Sequence, residues 1–272
     1  MKADLHTHST ASDGMLTPRE LVELAASSGL THLALTDHDS VDGLDEASAS
    51  AKNLGVVLIP GVELSATSPD GSDVHILGFF VDRTNAPFRS ELRDLRAARL
   101  RRAALMTEAL SAAGLTISLN DVLHHAGSGA VGRSHVARAI VTAGHARSVH
   151  DAFLHLIGRG RPYYVAKEAH SPEEAIRCIR SAGGIPVIAH PGVGGLGNLI
   201  EGLAAHGLAG VEAYHADHLP EVRREFAEQA TRLGLLVTGG SDFHSLNGPN
   251  PALGSVDLPE EALRRLLAAS GR

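Results

Sequence analysis

Tryptophan is absent from this 272-residue chain and aromatic side chains make up only 3% of it, so platforms on which nucleic-acid bases stack are not expected. Cysteine occurs once, at Cys178, which excludes an internal disulfide; inside the helical stretch Ala175-Ile176-Arg177-Cys178-Ile179 it reads as an inert core thiol. An excess of positive charge is missing too. The 24 Lys and Arg face 31 Asp and Glu, and the net charge of -7 argues against coating of long nucleic acid while leaving room for a local basic pocket. There is neither an apolar leader nor a run long enough to span a bilayer, so no membrane partner is expected and the expected location is the cytoplasm. A Gly-rich phosphate loop, a G-x-S-x-G elbow and an H-E-x-x-H helix are likewise missing, which removes nucleoside-triphosphatase, serine-hydrolase and zincin chemistry. Histidine is plentiful instead, with 17 residues, and metal ligation is the use that abundance suggests.

The chain reads as α/β. Short runs rich in Val, Ile and Leu lie near 3–7, 32–36, 56–62, 73–81, 185–189, 209–213 and 235–239, separated by helical patterns, as buried parallel strands joined by crossover helices would be. Thr17-Pro18-Arg19-Glu20 and Ser171-Pro172-Glu173-Glu174 each supply an N-cap, a Pro at the first helical position and a Glu three residues after the cap; Gly29 closes the first helix. The rhythm breaks between about Pro87 and Val165, where the pattern turns helical and basic through the stretch from Arg89, then 132–143 and 150–158. The expected division is a core of residues 1–86 and 166–272 with an inserted helical subdomain, 87–165, as a substrate cap. Arg93, Arg96, Arg99, Arg101 and Arg102 are expected to form a solvated helix face.

His6 and His8 stand two apart at the end of the first run, a spacing that turns both imidazoles to one face of a strand. Later runs end on similar chemistry: Asp37-His38-Asp39 after LALT, Glu63 after VLIPGV, His190-Pro191 after IPVIA, and Asp242 and His244 after LLVTGGS. In a closed parallel barrel all strand C-termini open on one face, so these dispersed residues would meet. His75, near the start of its run, fits that scheme least well. Any one of them alone reads as readily as a satisfied core histidine or a helix-capping Asp; the whole set is harder to dismiss, because repeated ionisable groups in apolar surroundings need partners, which metal cations would supply.

The stretches Asp4-Leu5-His6-Thr7-His8-Ser9, Thr36-Asp37-His38-Asp39, Pro60-Gly61-Val62-Glu63, Ala189-His190-Pro191 and Gly240-Ser241-Asp242-Phe243-His244 resemble the polymerase and histidinol phosphatase (PHP) family of metal-dependent phosphoesterases, and they run in order through nearly the whole core. The resemblance implies a distorted seven-stranded (β/α)7 barrel with a three-metal centre. It implies that His6, His8, Glu63 and Asp242 hold one ion, that Glu63 bridges to a second with His75 and His190, and that Asp13, His38 and His244 hold the third. His6, His8, Glu63, His190 and Asp242 would carry the catalysis. Some family members have a histidine at the place of Asp13; a carboxylate is a harder ligand and shifts preference towards manganese or magnesium. Six imidazoles and three carboxylates suit Mn, Fe or Zn in general, and manganese is the first expectation.

Two or three cations around a phosphate would neutralise its oxygens, activate a hydroxide and stabilise the leaving oxygen of an in-line displacement. For the substrate, Gly132-Arg133-Ser134-His135 opens a helix whose free N–H groups and Arg fork suit a phosphate, and Arg159, Arg161 and Lys167 flank the return to the core; ordinary surface charge is the alternative for each. These stretches resemble the nucleotide-phosphatase branch of the family, which acts on nucleoside 3′,5′-bisphosphates or trims short 5′-phosphorylated oligonucleotides. In that reading Arg133 and His135 grip the phosphate that is not cleaved. His215 and His218 would protonate a leaving group or touch substrate, or else are rim histidines without a task. His124, His125, His150 and His155 read as bland. A phosphatase for histidinol phosphate or another small phosphate, and a non-catalytic metal-stabilised module, are the remaining alternatives; all nine candidate ligands being present speaks against the last.

Overall fold

A computed structural model describes residues 1–246 and 251–271. In chain order the elements are β1 (Ala3–Asp4), α1 (Pro18–Ser27), β2 (His32–Leu35), α2 (Leu44–Leu54), β3 (Val57–Thr67), β4 (Asp73–Phe79), α3 (Ala86–Ala112), α4 (Leu119–Ala126), α5 (Arg133–Thr142), α6 (Val149–Ala152), α7 (Pro172–Ser181), β5 (Ile185–Ile188), α8 (Ile200–Ala205), β6 (Gly210–His215), α9 (Pro220–Arg232), β7 (Leu236–Gly240) and α10 (Glu260–Ala269). A π turn, Phe153–Ile157, extends α6, and a short 3₁₀ turn, Gly197–Leu199, precedes α8. Capping boxes start α1 at Thr17 with Glu20 and α7 at Ser171 with Glu174, as the sequence signals require. Among the described residues no helix is long and apolar enough to cross a membrane.

The strands form one sheet in sequence order, β1 to β7. Its ends approach each other: the Leu5 N–H donates to Gly239 O at 3.3 Å, and Thr7 bridges Phe243 in parallel. The sheet is thus a nearly closed barrel wrapped by helices, the distorted seven-stranded barrel that the motifs imply. It departs from the expected all-parallel arrangement at one strand, because β4 runs antiparallel to both β3 and β5. The reason is local. Only residues 68–72 separate β3 from β4, far too few for a crossover, and the Pro69-Asp70-Gly71 turn has Gly71 at φ 79° with Asp70 Oδ1 accepting the Ser72 N–H at 3.0 Å.

Alternation along each strand puts Ile59, Gly61, Glu63 and Ser65 of β3 on one face, and Asp73, His75, Leu77 and Phe79 of β4 on the same face of the pair, with Glu63 opposite Leu77 and Ser65 opposite His75. Towards one end that face is apolar: Ile59, Leu77, Phe79 and Val187 pack with Leu263 and Leu266 of α10. Towards the other it turns ionisable. Because β4 is reversed, its first residues lie at the end where the parallel strands finish, so His75 reaches the same mouth as Glu63.

The helical segment has a core of its own, built on Met106, Leu110, Val122, Val136, Ile140 and Ile157. The main core extends up α3 through Phe88, Leu92 and Leu95, and the second core begins at Ala103. The change of core therefore falls within one unbroken helix of 27 residues rather than at residue 87.

Candidate metal centre

Strand termini bring the candidate ligands together. His6 and His8 lie just beyond β1, which is only two residues long, on an extended segment pinned at Thr7. His6 Nε2 lies 3.3 Å from both Glu63 Oε2 and Asp242 Oδ1, and His8 Nε2 lies 3.3 and 3.0 Å from the same two oxygens. Glu63, fully buried, gathers five imidazoles. Its Oε2 also faces His38 Nδ1 at 2.9 Å, while Oε1 faces His75 Nδ1 at 2.8 Å and His190 Nε2 at 3.2 Å. Asp13 Oδ1 lies 3.3 Å from His244 Nε2 and 3.9 Å from His38 Nε2. His38 thus stands between two groups, next to Asp13 and His244 on one side and to Glu63 and His75 on the other.

Backbone geometry is specialised where these residues sit. His190 and Asp242 have positive φ, 28° and 54°, as does Asp39 beside His38 at 48°, a conformation that non-glycine residues adopt at a cost of order 1–3 kcal/mol each. A Cβ on Gly240 would collide with the backbone and Cβ of His6, so only glycine lets β7 pass that close. Three carboxylates from the same motifs hold the loops in place. Asp37 accepts the Ser9 N–H at 2.8 Å and the hydroxyls of Ser9 at 2.7 Å and Ser12 at 2.6 Å. Asp4 accepts from the Ser241 hydroxyl at 2.6 Å and from the Ser241 and Gly254 N–H groups at 2.9 and 2.8 Å. Asp39 accepts the Ser65 N–H at 2.8 Å and Arg99 Nε at 2.5 Å.

A fourth carboxylate, Glu212 on β6, has no counterpart among the sequence candidates. Fully buried, it accepts from His6 Nδ1 at 3.0 Å and from the His190 N–H at 2.8 Å, orienting both residues. The signal it offered was a Glu inside an otherwise apolar strand. His215, also buried, accepts the Asp217 N–H on Nδ1 at 3.1 Å, which leaves the hydrogen of a neutral ring on Nε2, 3.8 Å from Asp242 Oδ2.

The donor set fits divalent cations. His6 Nε2, His8 Nε2, His38 Nδ1, His75 Nδ1, Asp13 Oδ1, Glu63 Oε2 and Asp242 Oδ1 are buried without a hydrogen-bond partner, although unpaired buried polar atoms are rare in folded proteins. In the groups His6–His8–Glu63–Asp242, His8–Asp13–His38–His244 and His38–Glu63–His75, the ligand atoms all lie within 4.8 Å of one another. The field has the matching sign. Burial raises the Glu63 carboxyl, but His38, His75 and His6 outweigh it and hold the group well below the usual carboxylate range. Burial opposes a charge on His8, yet Asp242 and Glu63 lift it to about 10. Neighbouring carboxylates raise His6, His190 and His244 as well, so at these rings positive charge is wanted, whereas burial holds His75 down to about 4 and leaves its nitrogen free to act as a ligand.

The residues expected to touch substrate divide. Arg133 and Lys167 both pair with Asp73, and Lys167 is only 7% exposed, so neither is ordinary surface charge. Arg159 bonds the turn between β3 and β4, through Ser72 Oγ at 3.3 Å and Asp70 O at 3.1 Å, and Arg161 is exposed. His135 is turned away from a phosphate-gripping role: buried, it caps its own helix by accepting the Gly132 N–H on Nδ1 at 3.0 Å, and burial holds it down to about 4, hence neutral. His218 is also structural, with the Gly192 N–H on Nε2 at 3.0 Å and Nδ1 on Ala213 O at 3.0 Å. The arginines of α3 are not one solvated face. Arg99 is buried on Asp39 and Ser65, and Arg102 donates to Val165 O at 2.8 Å, because α3 lies across the barrel mouth. Arg96 pairs with Asp42 while Arg101, on Glu168, stays exposed. A cavity of about 990 Å³ opens beside the centre, lined by Asp13, Asp242 and His244 from the barrel and by Arg138, His150 and Phe153 from the helical layer, so His150 borders the site after all.

The PHP domain family model matches residues 4–169. A 3′,5′-nucleoside bisphosphate phosphatase of Chromobacterium violaceum is 38% identical over 94% of this chain and 92% of its own. A 5′-3′ exoribonuclease of Haemophilus influenzae is 38% identical over 89% of this chain and 90% of its own. A Bifidobacterium adolescentis structure proposed to be a metal-dependent phosphoesterase superposes with a TM-score of 0.90 at 36% identity, covering 98% of this chain and 95% of that one.

Proposed function

The chain belongs to the PHP domain family, and on that premise we propose that it is a metal-dependent phosphoesterase that hydrolyses a phosphomonoester of a small nucleotide, with a nucleoside 3′,5′-bisphosphate as first substrate. The observation that carries the reading is the meeting of six imidazoles and three carboxylates at one barrel mouth, seven of the nine with a buried ligand atom left unpaired. His6, His8, Glu63 and Asp242 would hold one ion, Glu63, His75 and His190 a second, and Asp13, His38 and His244 a third, with His38 close enough to Glu63 to serve either neighbour. Manganese is the metal we favour, because Asp13 supplies an oxygen where a softer ligand would suit zinc. Divalent ions so held supply charge neutralisation of the phosphate oxygens and activation of water.

The chain's own groups have separate tasks. Glu212 fixes the His6 ring so that Nε2 faces inward, and His215, buried with its Nε2 unpaired 3.8 Å from Asp242 Oδ2, borders the same ligand. Arg133 and Lys167, side by side on Asp73, offer cationic donors to a phosphate that is not cleaved. The helical insertion, residues 87–165, whose own core begins at Ala103, acts as the substrate cap: Arg138, His150 and Phe153 form one wall of a cavity that suits a nucleotide.

One experiment tests this reading. Phosphate release is measured from nucleoside monophosphates, 3′,5′-bisphosphates and short 5′-phosphorylated oligonucleotides, with manganese and with chelator. Bisphosphates are expected to be turned over with the highest kcat/KM, and chelator to abolish release. Activity confined to oligonucleotides would favour a 5′-3′ exonuclease, for which the volume of the cavity and the similarity to the Haemophilus protein argue.

A further inference from the structure

Asp73 is the first residue of β4, two positions before His75 on the same pleated face, and both of its carboxylate oxygens are engaged by cations. Arg133 Nη2 reaches Oδ2 at 3.0 Å from the first turn of α5, and Lys167 Nζ reaches Oδ1 at 3.2 Å from the segment that returns to the barrel. Two aromatic rings also flank the arginine: its guanidinium carbon lies 5.6 Å from the centre of the Phe153 ring and 5.9 Å from that of Tyr164. Phe153 begins the π turn and also lines the cavity beside the centre. Two cations from distant parts of the sequence are therefore brought to one point against their mutual repulsion.

The fold alone does not call for this arrangement. Lys167 alone would neutralise Asp73, and the added Arg133–Asp73 pair, with both side chains about a quarter exposed, contributes little to stability. With two cations on one carboxylate, a net positive charge remains. Asp73 also occupies only part of their donor capacity, since a guanidinium carries five N–H donors and an ammonium three. Lys167, almost fully buried, needs a counter-charge to stay ionised where it is, and Asp73 provides it.

We propose that Asp73 is a positioning residue that determines specificity for a substrate bearing a second phosphate, by holding Arg133 and Lys167 as a preformed fork beside the metal centre. The proposal rests on the phosphoesterase reading above and deepens it. Prearranged donors spare the substrate the cost of ordering two long side chains, and that gain falls only to substrates whose second phosphate reaches the fork.

The test is steady-state kinetics of the manganese-supplied protein on a nucleoside 3′,5′-bisphosphate and on its 3′- and 5′-monophosphates. Asp73→Asn is expected to lower the preference for the bisphosphate, as a ratio of kcat/KM values, by about 10-fold, mostly through KM. Asp73→Glu, with its carboxylate displaced by one methylene, should lose part of the preference. In an Arg133→Gln/Lys167→Gln background, which leaves no buried cation unpaired, Asp73→Asn should change the ratio by less than about 2-fold, because nothing remains to be positioned. A loss of equal size on all three substrates overturns the proposal, as does a preference unchanged or raised in Asp73→Asn. If that variant does not fold, Asp73→Glu decides, and a wild-type preference in it overturns the proposal. Wild-type protein with no preference for the bisphosphate would overturn this inference and the substrate choice together, whereas a preference that survives Asp73→Asn overturns the inference alone.

Discussion

The carboxylate of Glu212 stands 3.0 Å behind His6, on the Nδ1 side of a ring whose Nε2 points at Glu63 and Asp242. That pairing fixes the tautomer and raises the basicity of the inward nitrogen. Glu212→Gln keeps the shape but removes the charge. Manganese affinity, measured by calorimetry on chelator-stripped protein, is expected to fall about 10-fold or more, with the far-ultraviolet circular dichroism unchanged. Undiminished affinity would show that the ring is held by packing alone.

Asp242 is a ligand candidate at the rim rather than in the apolar core, its side chain 27% exposed. Asp242→Asn should therefore abolish phosphate release while the chain remains folded, and bound manganese per chain, read by elemental analysis, should fall. Retained turnover in this variant would count against the whole ligand assignment.

Arg99 and Asp39 form a buried pair, 13% and 1% exposed, that joins α3 to the loop carrying His38. Arg99→Met strands a buried carboxylate whose remaining partner is the Ser65 N–H, a loss of about 3–5 kcal/mol in urea denaturation of chelated protein. Adding Asp39→Asn removes the stranded charge and should restore at least half of that loss. If the double variant is no more stable than the single one, the charge is not the cause.

Burial holds His135 down to about 4 from an ordinary 6.5, so the folded chain binds fewer protons at this ring than the unfolded chain does. The stability it contributes is complete above about pH 6.5 and is lost as pH falls from there through 4, with about 3 kcal/mol as the upper limit. His135→Asn, which keeps an acceptor for the Gly132 N–H, should remove that dependence. The stability difference between wild type and variant would then narrow by about 2–3 kcal/mol from pH 7 to pH 4. A difference constant with pH would refute the assignment of His135 as a neutral cap.

Much of the site could be read in advance, because a ligand that follows an apolar run announces itself: His6, His8, His38, His190, Asp242 and His244 all sit where a strand gives out, while Glu63 follows its apolar run but lies within β3, which continues to Thr67. His75 resisted that logic. It lies near the start of a strand, and only the reversal of β4, set by the short Pro69-Asp70-Gly71 turn, brings it to the mouth; the direction follows from the length of that connection, not from the residues around His75. Glu212 escaped for another reason. A Glu within a strand usually marks a solvated face, and nothing nearby in sequence reveals that His6, 206 residues away, waits on the inner side. The basic run on α3 differs from a solvated face for the same reason: the partners of Arg99 and Arg102 lie at Asp39, Ser65 and Val165, and no helical periodicity encodes them.

One helix is rooted in both cores: α3 packs Phe88, Leu92 and Leu95 into the barrel's and Met106 and Leu110 into that of the helical layer. A swing of that layer as a separate body would have to bend an unbroken rod of 27 residues or pull its apolar side chains out of one of their sockets. The spacing between the ligand cluster and the opposite wall is thus set by one continuous rod, which ties the width of the cavity to the packing of both cores.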